Sequence, residues 1–470
     1  MKYLSYLLVF VSIWGLQAQE DALKTLDSKS GQYEEIALQI WEWAELGYKE
    51  VQSSALLQET LASEGFRIEK GVAGIPTAFV AEYGSGSPVI GILGEFDALP
   101  GLSQKALPQK ESAGGAGGHA CGHHLFGTAS AAAAIAAKNW LKAGGHQGTI
   151  RFYGCPAEEG GSGKVYMVRA GLFDDLDVAL HWHPGDRNDA SASASLANKS
   201  AKFRFYGVSA HAAGAPEKGR SALDGVEAMN AMVNMMREHI PERARIHYVI
   251  TDGGKAPNVV PDYAEVYYYA RHNTREVVVD IFDRIVKAAE GAAMGTGTTM
   301  DYEMVGGTYE LLPNIPLQRI VDKNLNAVGG VSYTAEERSF AQKISNSLGQ
   351  EALQEEIAAS VQPFKTVGRA YGSTDVGDVS FTVPTAGIRI ATWVPGTPAH
   401  SWQAVAAGGT SIGLKGMMVA AKTLAATAID LYSDPETIAA AKAEFLERRG
   451  TDFDYFPLLG DRPPALNYRD

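Results

Sequence analysis

The chain has 470 residues, of which 46% are hydrophobic and 20% are charged. This is enough apolar material for the cores of two or three domains, so disorder throughout the chain is excluded. The formal net charge is −13. A surface that binds nucleic acid or an anionic membrane would need a basic patch, which this composition does not supply. A small substrate fits the composition, including an anionic one held by an arginine or a metal pair.

The first eighteen residues, MKYLSYLLVFVSIWGLQA, place Lys2 before an apolar run from Tyr6 to Trp14 and end at Ala18. This order predicts a secretory signal peptide at residues 1–18, cleaved near Ala18. The apolar run is shorter than the roughly 20 residues that span a bilayer, which argues against a membrane anchor. No later stretch is predicted to span a membrane. We therefore expect an exported protein, periplasmic or secreted, that has no membrane contact after processing.

Predicted strands and helices alternate in the first part of the mature chain. Two helices between Glu34 and Phe66 come first. The next predicted elements are strands at Thr77 to Tyr83, Val89 to Phe96, Thr149 to Tyr153 and Val178 to Trp182, with helices at about Leu125 to Leu141 and Lys164 to Leu172. Such alternation predicts an α/β fold whose mostly parallel or mixed sheet is covered on both faces.

The middle of the chain has a different pattern, which predicts a compact inserted α+β unit. Its predicted elements are strands at Ala201 to Tyr206 and Tyr263 to Tyr269, and helices at Ser221 to Ile240 and about Val277 to Ala292. The polar stretch at Asn198 and the pair Gly306-Gly307 mark its limits, so we predict this domain at residues 198–307. Residues 19–197 and 308–470 would then form the two parts of the surrounding domain.

The last part of the chain, from Leu311 onward, resumes the alternation of helices and strands. A strand is predicted at Ala386 to Trp393, followed by an Ala-rich helix at Gly413 to Leu431. A further helix is predicted to begin at Ser433, because Glu436 stands three residues later and Pro435 lies in the first turn, as in a capping box. The segment beyond residue 450 is an aromatic and proline-rich C-terminal extension, to which the sequence assigns no function.

The motif GGHACGHH at 117–124 combines thiolate and imidazole side chains, which bind borderline divalent metals. Gly122 lets Cys121 and His123 converge. Two other interpretations stay open: the histidines could cap the following helix, or Cys121 could be a nucleophile activated by a histidine. The second cysteine, Cys155, follows an apolar strand and is interpreted as a buried structural thiol, although two cysteines in an oxidising compartment could form a disulfide.

Glu158 and Glu159 follow an apolar strand and precede two glycines. Ligands bind beyond the carboxyl ends of strands in open α/β sheets. Because adjacent residues in a non-helical turn point in different directions, one carboxylate could hold a metal while the other activates a water. Adjacent glutamates are also a common solvated surface feature, and here the preceding strand and the flanking glycines favour a site.

Further candidates lie at strand ends and in one loop. His181 and His183 share one face of a strand, so either could be a ligand. Asp97 ends a strand and could bind metal, orient a ligating histidine or cap a turn. His400 lies in the loop GTPAHSW as a ligand or an ordinary loop histidine. Acids and histidines at strand ends that could share one sheet edge favour a dinuclear hydrolase. The run GGSGK, ending at Lys164, is discounted as a phosphate loop because valine follows the lysine.

Eight motifs show that the chain resembles the amidohydrolase branch of the zinc-peptidase superfamily, which includes aminoacylases, hippurate hydrolases and indole-acetyl-amino-acid hydrolases. The motifs, between about Ile36 and Met418, are GEFDALPGLSQ, GGHACGHH, GCPAEEGGSGK, ALHWHP, GVSAHAAGAPEKGRSALD, GKAPNVVPDYAEVYYYARH, STDVGDVS and GTPAHSWQ. The resemblance implies a mixed-sheet catalytic domain, at residues 19–197 and 308–470, with an inserted α+β lid and dimerisation domain.

The resemblance also implies a role for single residues. The implied metal ligands are Cys121, shared by two ions, with His123 and His183 completing one site and Glu159 and His400 the other. Glu158 would be the general base, and Asp97 would orient a ligand. His211 would polarise the scissile carbonyl in the active site of a partner subunit, so the implied assembly is a homodimer. Asn258 and Arg271 would contact the substrate. Among the strand histidines, the Trp-His-Pro context selects His183 over His181.

The implied activity is hydrolysis of an amide bond next to a carboxylate, with two divalent ions, Zn²⁺ or Mn²⁺, as cofactors. The implied substrates are p-aminobenzoyl-glutamate-like amides, N-acyl amino acids or dipeptides. The sequence departs from the common pattern at Glu95, where Asp is usual, and at His124, where an acid is frequent, but neither change removes a ligand. Two alternatives are a cysteine-nucleophile amidase and an inactive protein that binds peptides or acyl-amino acids.

Overall fold

A computed structural model describes residues 19–368 and 372–469 of the chain. The predicted signal peptide at residues 1–18 lies outside the described residues, and both its cleavage and the export of the protein stay predictions. Short 3-10 turns at Val72–Gly74, Pro216–Lys218 and Arg237–His239 are left unlabelled below.

The regular elements follow one another in three groups. The first group contains α1 (residues 19–28), α2 (Ser30–Trp43), α3 (Val51–Ser63), β1 (Arg67–Lys70), β2 (Phe79–Ser85), β3 (Val89–Glu95), β4 (Leu99–Pro100), β5 (Gly117–Gly118), α4 (His123–Gly144), β6 (Gly148–Cys155), α5 (Glu158–Gly161), α6 (Gly163–Arg169) and β7 (Val178–Gly185). The second contains β8 (Ala197–Tyr206), α7 (Ala222–Met236), β9 (Arg245–Asp252), β10 (Tyr263–His272), α8 (Arg275–Thr296) and β11 (Thr299–Thr308). The third contains α9 (Ile315–Val328), α10 (Ala335–Ser347), α11 (Glu355–Ala359), α12 (Val376–Ser380), β12 (Thr385–Ala391), α13 (Trp402–Gly408), α14 (Ser411–Ser433) and α15 (Pro435–Arg449).

The first and third groups form a six-stranded sheet with the order β1-β2-β6-β3-β7-β12. Strands β6, β3, β7 and β12 are parallel, whereas β1 and β2 are antiparallel to their neighbours. Helices cover both faces: Ile92 packs into a core with α4 and α14, while the next residue, Leu93, packs into a second core with α6. Burial on both faces explains why these strands read as continuous apolar runs. The predicted mixed-sheet α/β class is confirmed.

The second group forms a four-stranded antiparallel sheet with the order β11-β8-β10-β9. Alternate residues of β10, including Val266 and Tyr268, are buried against α7 and α8, and the residues between them are half-buried on the opposite face. The strands of this unit run from Ala197 to Thr308. Strand β9 is an edge strand whose residues Tyr248, Val249 and Ile250 are exposed.

One predicted helix start is wrong. Ser433 is the last residue of α14, and α15 begins at Pro435. The N-cap is Asp434, whose Oδ1 accepts a hydrogen bond of 3.0 Å from the backbone N–H of Thr437. An aspartate caps a helix as well as a serine does, so the spacing from Ser433 to Glu436 selects the wrong residue.

The expectation that no later stretch could span a membrane is also corrected. Helix α14 is long and apolar enough to cross a membrane by length and composition alone. However, 89% of its most apolar window is buried inside the protein, where the helix contacts α4, α9 and β12. A core helix of a soluble protein passes the same test, so this helix is weak evidence for a membrane span.

Helix α4 packs closely on β3 because both carry glycine at the contact. A Cβ atom on Gly127 would lie 2.7 Å from the backbone oxygen of Glu95, and one on Gly94 would lie 3.4 Å from the Cα of Gly127. The contact holds the first turn of α4, which carries His123, against the end of β3.

We expect Gly127→Ala to lower the free energy of unfolding by about 1–3 kcal/mol, because the added methyl group overpacks the contact. The matched control is Gly31→Ala in α2, where an added Cβ has no neighbour within 4 Å. The control should raise stability by less than about 1 kcal/mol through helix propensity. Urea unfolding measures both, and equal effects of the two changes would contradict a tight contact at Gly127.

Candidate metal centre

Acids, histidines and one cysteine meet at one edge of the six-stranded sheet. The carboxyl ends of parallel strands share an edge, and the residues beyond β3, β6 and β12 and in β7 lie there. Asp97 follows β3, Glu158 and Glu159 follow β6, and His183 lies in β7. The remaining members are Cys121 and His123, at the start of α4, and His400, in the loop between β12 and α13.

Two overlapping groups of metal-binding atoms share Cys121. In each group, the ligand atoms all lie within 4.8 Å of one another. The first group consists of Cys121, His123 and His183, and the second of Cys121, Glu159 and His400. The first group is mostly buried, whereas the side chain of His400 is 52% exposed, so the second group lies at the mouth of the site. A third group joins Glu95, His123 and Glu158.

Hydrogen bonds orient the imidazole rings of the first group. The Nδ1 atom of His123 lies 2.9 Å from Asp97 Oδ1, and the Nδ1 atom of His183 lies 2.7 Å from the backbone oxygen of Pro184. Each bond makes Nδ1 the donor and leaves Nε2 as the free acceptor. The Nε2 atom of His183 lies 3.4 Å from Cys121 Sγ. The Nε2 atom of His123 faces Glu95 Oε2 at 3.1 Å, but makes no hydrogen bond with a described residue.

The second group joins the glutamate loop to the His400 loop. The Nε2 atom of His400 lies 3.0 Å from Glu159 Oε1. The backbone N–H of His400 donates to the oxygen of Ala120, and the backbone N–H of Glu159 donates to Asp97 Oδ2 at 2.9 Å. Asp97 therefore binds His123 of the first group with one oxygen and the backbone of Glu159 in the second group with the other.

The loop that carries both glutamates has a strained backbone. Ala157 and Ser162, on either side of the pair, have φ values of 55° and 58°, in the left-handed region that residues with a side chain rarely adopt. Contacts from other elements hold the loop. The buried Glu50 accepts a hydrogen bond from the N–H of Ala157, and the hydroxyl of Tyr48 donates to the oxygen of Gly161. Strain of this kind is typical of functional sites.

The electrostatics of the cluster suit bound cations. Burial raises the pKa of Glu158 well above its ordinary value, and the carboxylates of Glu95 and Glu159 raise it further. Burial likewise raises the pKa of the Cys121 thiol. The buried atoms His123 Nε2 and Glu159 Oε1 lack a hydrogen-bond partner among the described residues. Divalent ions would satisfy these atoms and offset the crowded negative charge, and one thiolate with imidazoles and a carboxylate suits Zn²⁺ and Mn²⁺ alike.

A buried lysine beside the cluster is not predicted by the sequence. Lys164 Nζ lies 2.6 Å from Glu95 Oε1 and 2.8 Å from Asp375 Oδ1, and its backbone N–H donates to Asp375 Oδ2. Burial opposes the ammonium charge, but the two carboxylates hold the pKa of Lys164 well above its ordinary value. The signals were present in the motifs GGSGK and STDVGDVS, whose charged residues bind each other.

The other histidines and the second cysteine lie outside these groups. The Nε2 atoms of His119 and His124 lie 3.0 and 3.1 Å from the backbone oxygens of Ile40 and Gly408. Burial lowers the pKa of His181 to about 4, and its ring packs against Gly387. Cys121 and Cys155 are both free and buried, so the described chain does not contain the disulfide that the sequence left open.

The predicted substrate residues lie at opposite ends of the four-stranded sheet. Arg271 pairs with Asn198 near the end of the sheet where Gly306 approaches Gly160 of the glutamate loop. By contrast, Asn258 precedes β10, and its backbone oxygen accepts a hydrogen bond from Ala212. His211 is exposed beside it, with Nδ1 accepting hydrogen bonds from the N–H groups of Ala213 and Gly214.

The distance along β10 separates these residues. The strand runs from Tyr263 to His272, which at about 3.4 Å per residue is roughly 30 Å long. The structure therefore brings Arg271 to the end of the sheet beside the glutamate loop. It does not bring His211 or Asn258 to the cluster of the same chain.

Comparisons with known proteins agree with the site and the fold. A profile of the peptidase dimerisation domain matches residues 197–296. The chain is 42% identical to one of the p-aminobenzoyl-glutamate hydrolase subunits of Escherichia coli strain K12 over 467 residues, which cover 94% of this chain and 97% of that protein. It is 28% identical to the Xaa-Arg dipeptidase of Mus musculus over 439 residues, covering 90% of this chain and 91% of that protein.

A solved structure has the same fold. A dinuclear metal-binding peptidase of the M20 family from Bacillus subtilis matches with a TM-score of 0.57 at 17% sequence identity, covering 87% of this chain and 99% of that chain. These likenesses confirm the resemblance that the sequence motifs indicate. The chain belongs to the M20 peptidase family and is a metal-dependent amidohydrolase.

Proposed function

We propose that the chain is a dinuclear hydrolase that cleaves the amide bond of p-aminobenzoyl-glutamate or of a similar acyl-amino acid. The observation that carries the proposal is the position of Cys121, which belongs to both three-residue groups of ligand atoms. A thiolate shared in this way can bind two ions at once. The substrate class is supported by the 42% identical relative, whose name specifies p-aminobenzoyl-glutamate.

The ligand groups divide the proposed metal binding between two positions. His123 and His183 would complete one position with Cys121, and Glu159 and His400 the other. Ions bound there would act as Lewis acids that make water a stronger acid and polarise the substrate carbonyl. Glu158 would accept the proton of the attacking water and pass it to the leaving amine. Its burial beside this cluster supports that role, because a base that is shielded from solvent retains the proton for the leaving group.

The substrate carboxylate is proposed to bind at Arg271. The Nε atom of Arg271 is buried without a hydrogen-bond partner among the described residues, and guanidinium groups bind carboxylates with two parallel hydrogen bonds. Its guanidinium carbon lies 5.1 Å from the centre of the Tyr269 ring. Tyr267 and Tyr269 share the strand face of Arg271 and offer apolar surface for an aromatic acyl group.

A homodimer is proposed because His211 and Asn258 lie far from the cluster of their own chain. The length of β10 separates them from Arg271, while the exposed edge strand β9 offers a surface on which a second copy could pair. In such a dimer, His211 would reach the partner's site and stabilise the charge that develops on the substrate carbonyl. Its Nδ1 accepts backbone hydrogen bonds, so Nε2 carries the proton that it would donate.

Two alternative functions have less support. A cysteine-nucleophile amidase needs a thiolate, whereas burial raises the pKa of Cys121 and no described residue other than the metal-ligand candidates activates it. An inactive binding protein would not need the complete set of ligands and the base that this chain retains. Loss of activity with a chelator and its recovery with Zn²⁺ or Mn²⁺ would exclude both.

We expect Glu158→Gln to retain two metal ions per chain and to lower kcat for p-aminobenzoyl-glutamate by about 10²–10⁴-fold, because the proton acceptor is lost. Metal analysis and steady-state kinetics measure the two effects. The control is Glu447→Gln on the exposed face of α15, which should change neither. Undiminished turnover in Glu158→Gln would contradict the base assignment, and an inactive wild-type enzyme with two ions would point to a different acyl-amino acid.

We expect Asp97→Asn to weaken metal binding by about 10–100-fold, because the amide cannot accept both hydrogen bonds that orient His123 and the Glu159 loop. Competition with a chromophoric chelator measures the affinity. The control is Asp378→Asn, which changes another buried carboxylate that accepts two hydrogen bonds, from the N–H of Tyr309 and the hydroxyl of Tyr455. Equal loss of metal affinity in both variants would show a general loss of stability rather than a specific role for Asp97.

Mixed dimers test whether His211 acts in the partner's site. Glu158→Gln and His211→Ala should each be nearly inactive alone. After the two variants are unfolded and refolded together, random pairing gives heterodimers in which one of the two sites is complete, so about one quarter of the wild-type activity should return. The control mixes Glu158→Gln with Asp97→Asn, whose changes lie in the same site. No recovery in the first mixture would show that His211 does not act across a dimer.

A further inference from the structure

The C-terminal tail, defined as residues 450–469, crosses the protein from α15 to the glutamate loop. The hydroxyl of Tyr455 donates to Asp378 Oδ1 at 2.8 Å, and the hydroxyl of Tyr309 donates to the oxygen of Phe456 at 2.7 Å. Leu458 then packs on Gly307 of β11, where a Cβ atom would lie only 2.9 Å from its side chain. The tail thus follows the junction between the two sheets before it reaches the metal centre.

The end of the tail binds the backbone of a proposed metal ligand. The hydroxyl of Tyr468 donates to the backbone oxygen of Glu159 at 3.0 Å, and Arg469 Nη2 donates to the same oxygen at 2.5 Å. The guanidinium carbon of Arg469 also lies 4.6 Å from the centre of the Tyr468 ring. Two consecutive side chains, more than 300 residues away in sequence, therefore converge on one carbonyl group.

The surrounding residues leave space for this contact. The ring of Tyr468 packs edge-on against Tyr48 at 5.5 Å between centres. Gly47 lies beside the hydroxyl, and a Cβ atom on Gly47 would be 2.1 Å from Tyr468 Oη. Gly160, whose φ of 89° requires glycine, faces the two side chains at 3.7 and 3.8 Å. Tyr468 and Arg469 are thus seated against a shaped surface rather than lying on open solvent.

We infer that Tyr468 and Arg469 are positioning residues for the second metal position, the one formed by Cys121, Glu159 and His400. This inference rests on the proposed dinuclear site. The peptide group between Glu159 and Gly160 is otherwise free to rotate in a loop whose ψ at Glu159 is 70° and whose next φ is 89°. Two donors on its carbonyl oxygen fix that rotation, and with it the direction of the Glu159 carboxylate.

The two metal positions should depend on the tail to different extents. His123 and His183, which complete the first position, are oriented by Asp97 and Pro184 and have no bond to the tail. Glu159 belongs to the second position alone. Loss of the two tail donors should therefore weaken one ion and leave the other, whereas a general loss of stability would weaken both.

The experiment uses the full chain with Tyr468→Phe, Arg469→Met and the double change. Each protein is dialysed against graded concentrations of a chelator, and the bound Zn²⁺ is counted. We expect the double variant to release one of its two ions at a chelator concentration about 10–100-fold below that needed by the wild type, while the second ion stays. The kcat should fall with that ion, with little change in KM, and Arg469→Lys should restore part of both.

The matched control is Tyr455→Phe, which removes a hydroxyl from the same tail but from the bond to Asp378. It should lower the melting temperature at least as much as Tyr468→Phe and keep two ions. Equal weakening of both ions in the double variant, or retention of both at the wild-type affinity, would overturn the inference. So would a raised KM confined to substrates with two carboxylates, which would make Arg469 a substrate contact. Fewer than two ions in the wild type would overturn the dinuclear proposal itself.

Discussion

The metal centre depends on one buried carboxylate. Asp97 accepts a hydrogen bond from His123 with one oxygen and from the backbone of Glu159 with the other. Burial alone would raise the pKa of Asp97, but the imidazole of His123 and the amide of Glu159 hold it below its ordinary value. An ionised acceptor is thereby kept between α4 and the loop after β6. Because these two elements carry ligands of different groups, their spacing is set by a single side chain.

The same region contains more acids than an apolar interior tolerates without compensation. Lys164 is fully buried between Glu95 and Asp375, and it is a permanent cation within a cluster whose other cations would be metal ions. Asp375 also binds the backbone of Lys164, so the pair joins α6 to the segment before α12. Removal of one partner from such a pair leaves an uncompensated buried charge, which costs about 3–5 kcal/mol. The ligand set is therefore supported by fixed protein charge as well as by hydrogen bonds.

The sequence predicts the parts of this arrangement that depend on local pattern. Buried parallel strands appear as apolar runs, and the candidate ligands stand at their ends, so the central sheet and the position of the cluster follow. Strands β1, β9 and β11 do not follow, because much of their surface is exposed and their residues lack a clear alternation. The roles of Lys164 and of the tail also escape prediction, since Tyr468 meets its partner 309 residues earlier in the chain. Spacing along a sequence carries no information about such a contact.

The strained glutamate loop explains why small residues surround it. Ala157 has a left-handed conformation that costs roughly 1–2 kcal/mol for a residue with a side chain, yet glycine there would leave a gap. A Cβ atom on Gly161 would lie 2.6 Å from the methyl group of Ala157, and one on Gly47 would lie 3.0 Å from it. The methyl group therefore occupies space that both glycines leave open. The bond from its N–H to Glu50 lies within the same contact, and burial raises the pKa of that carboxyl to about 8. Conformational strain and a destabilised acid are thus concentrated beside Glu158, and the buried cores on both faces of the sheet must offset them.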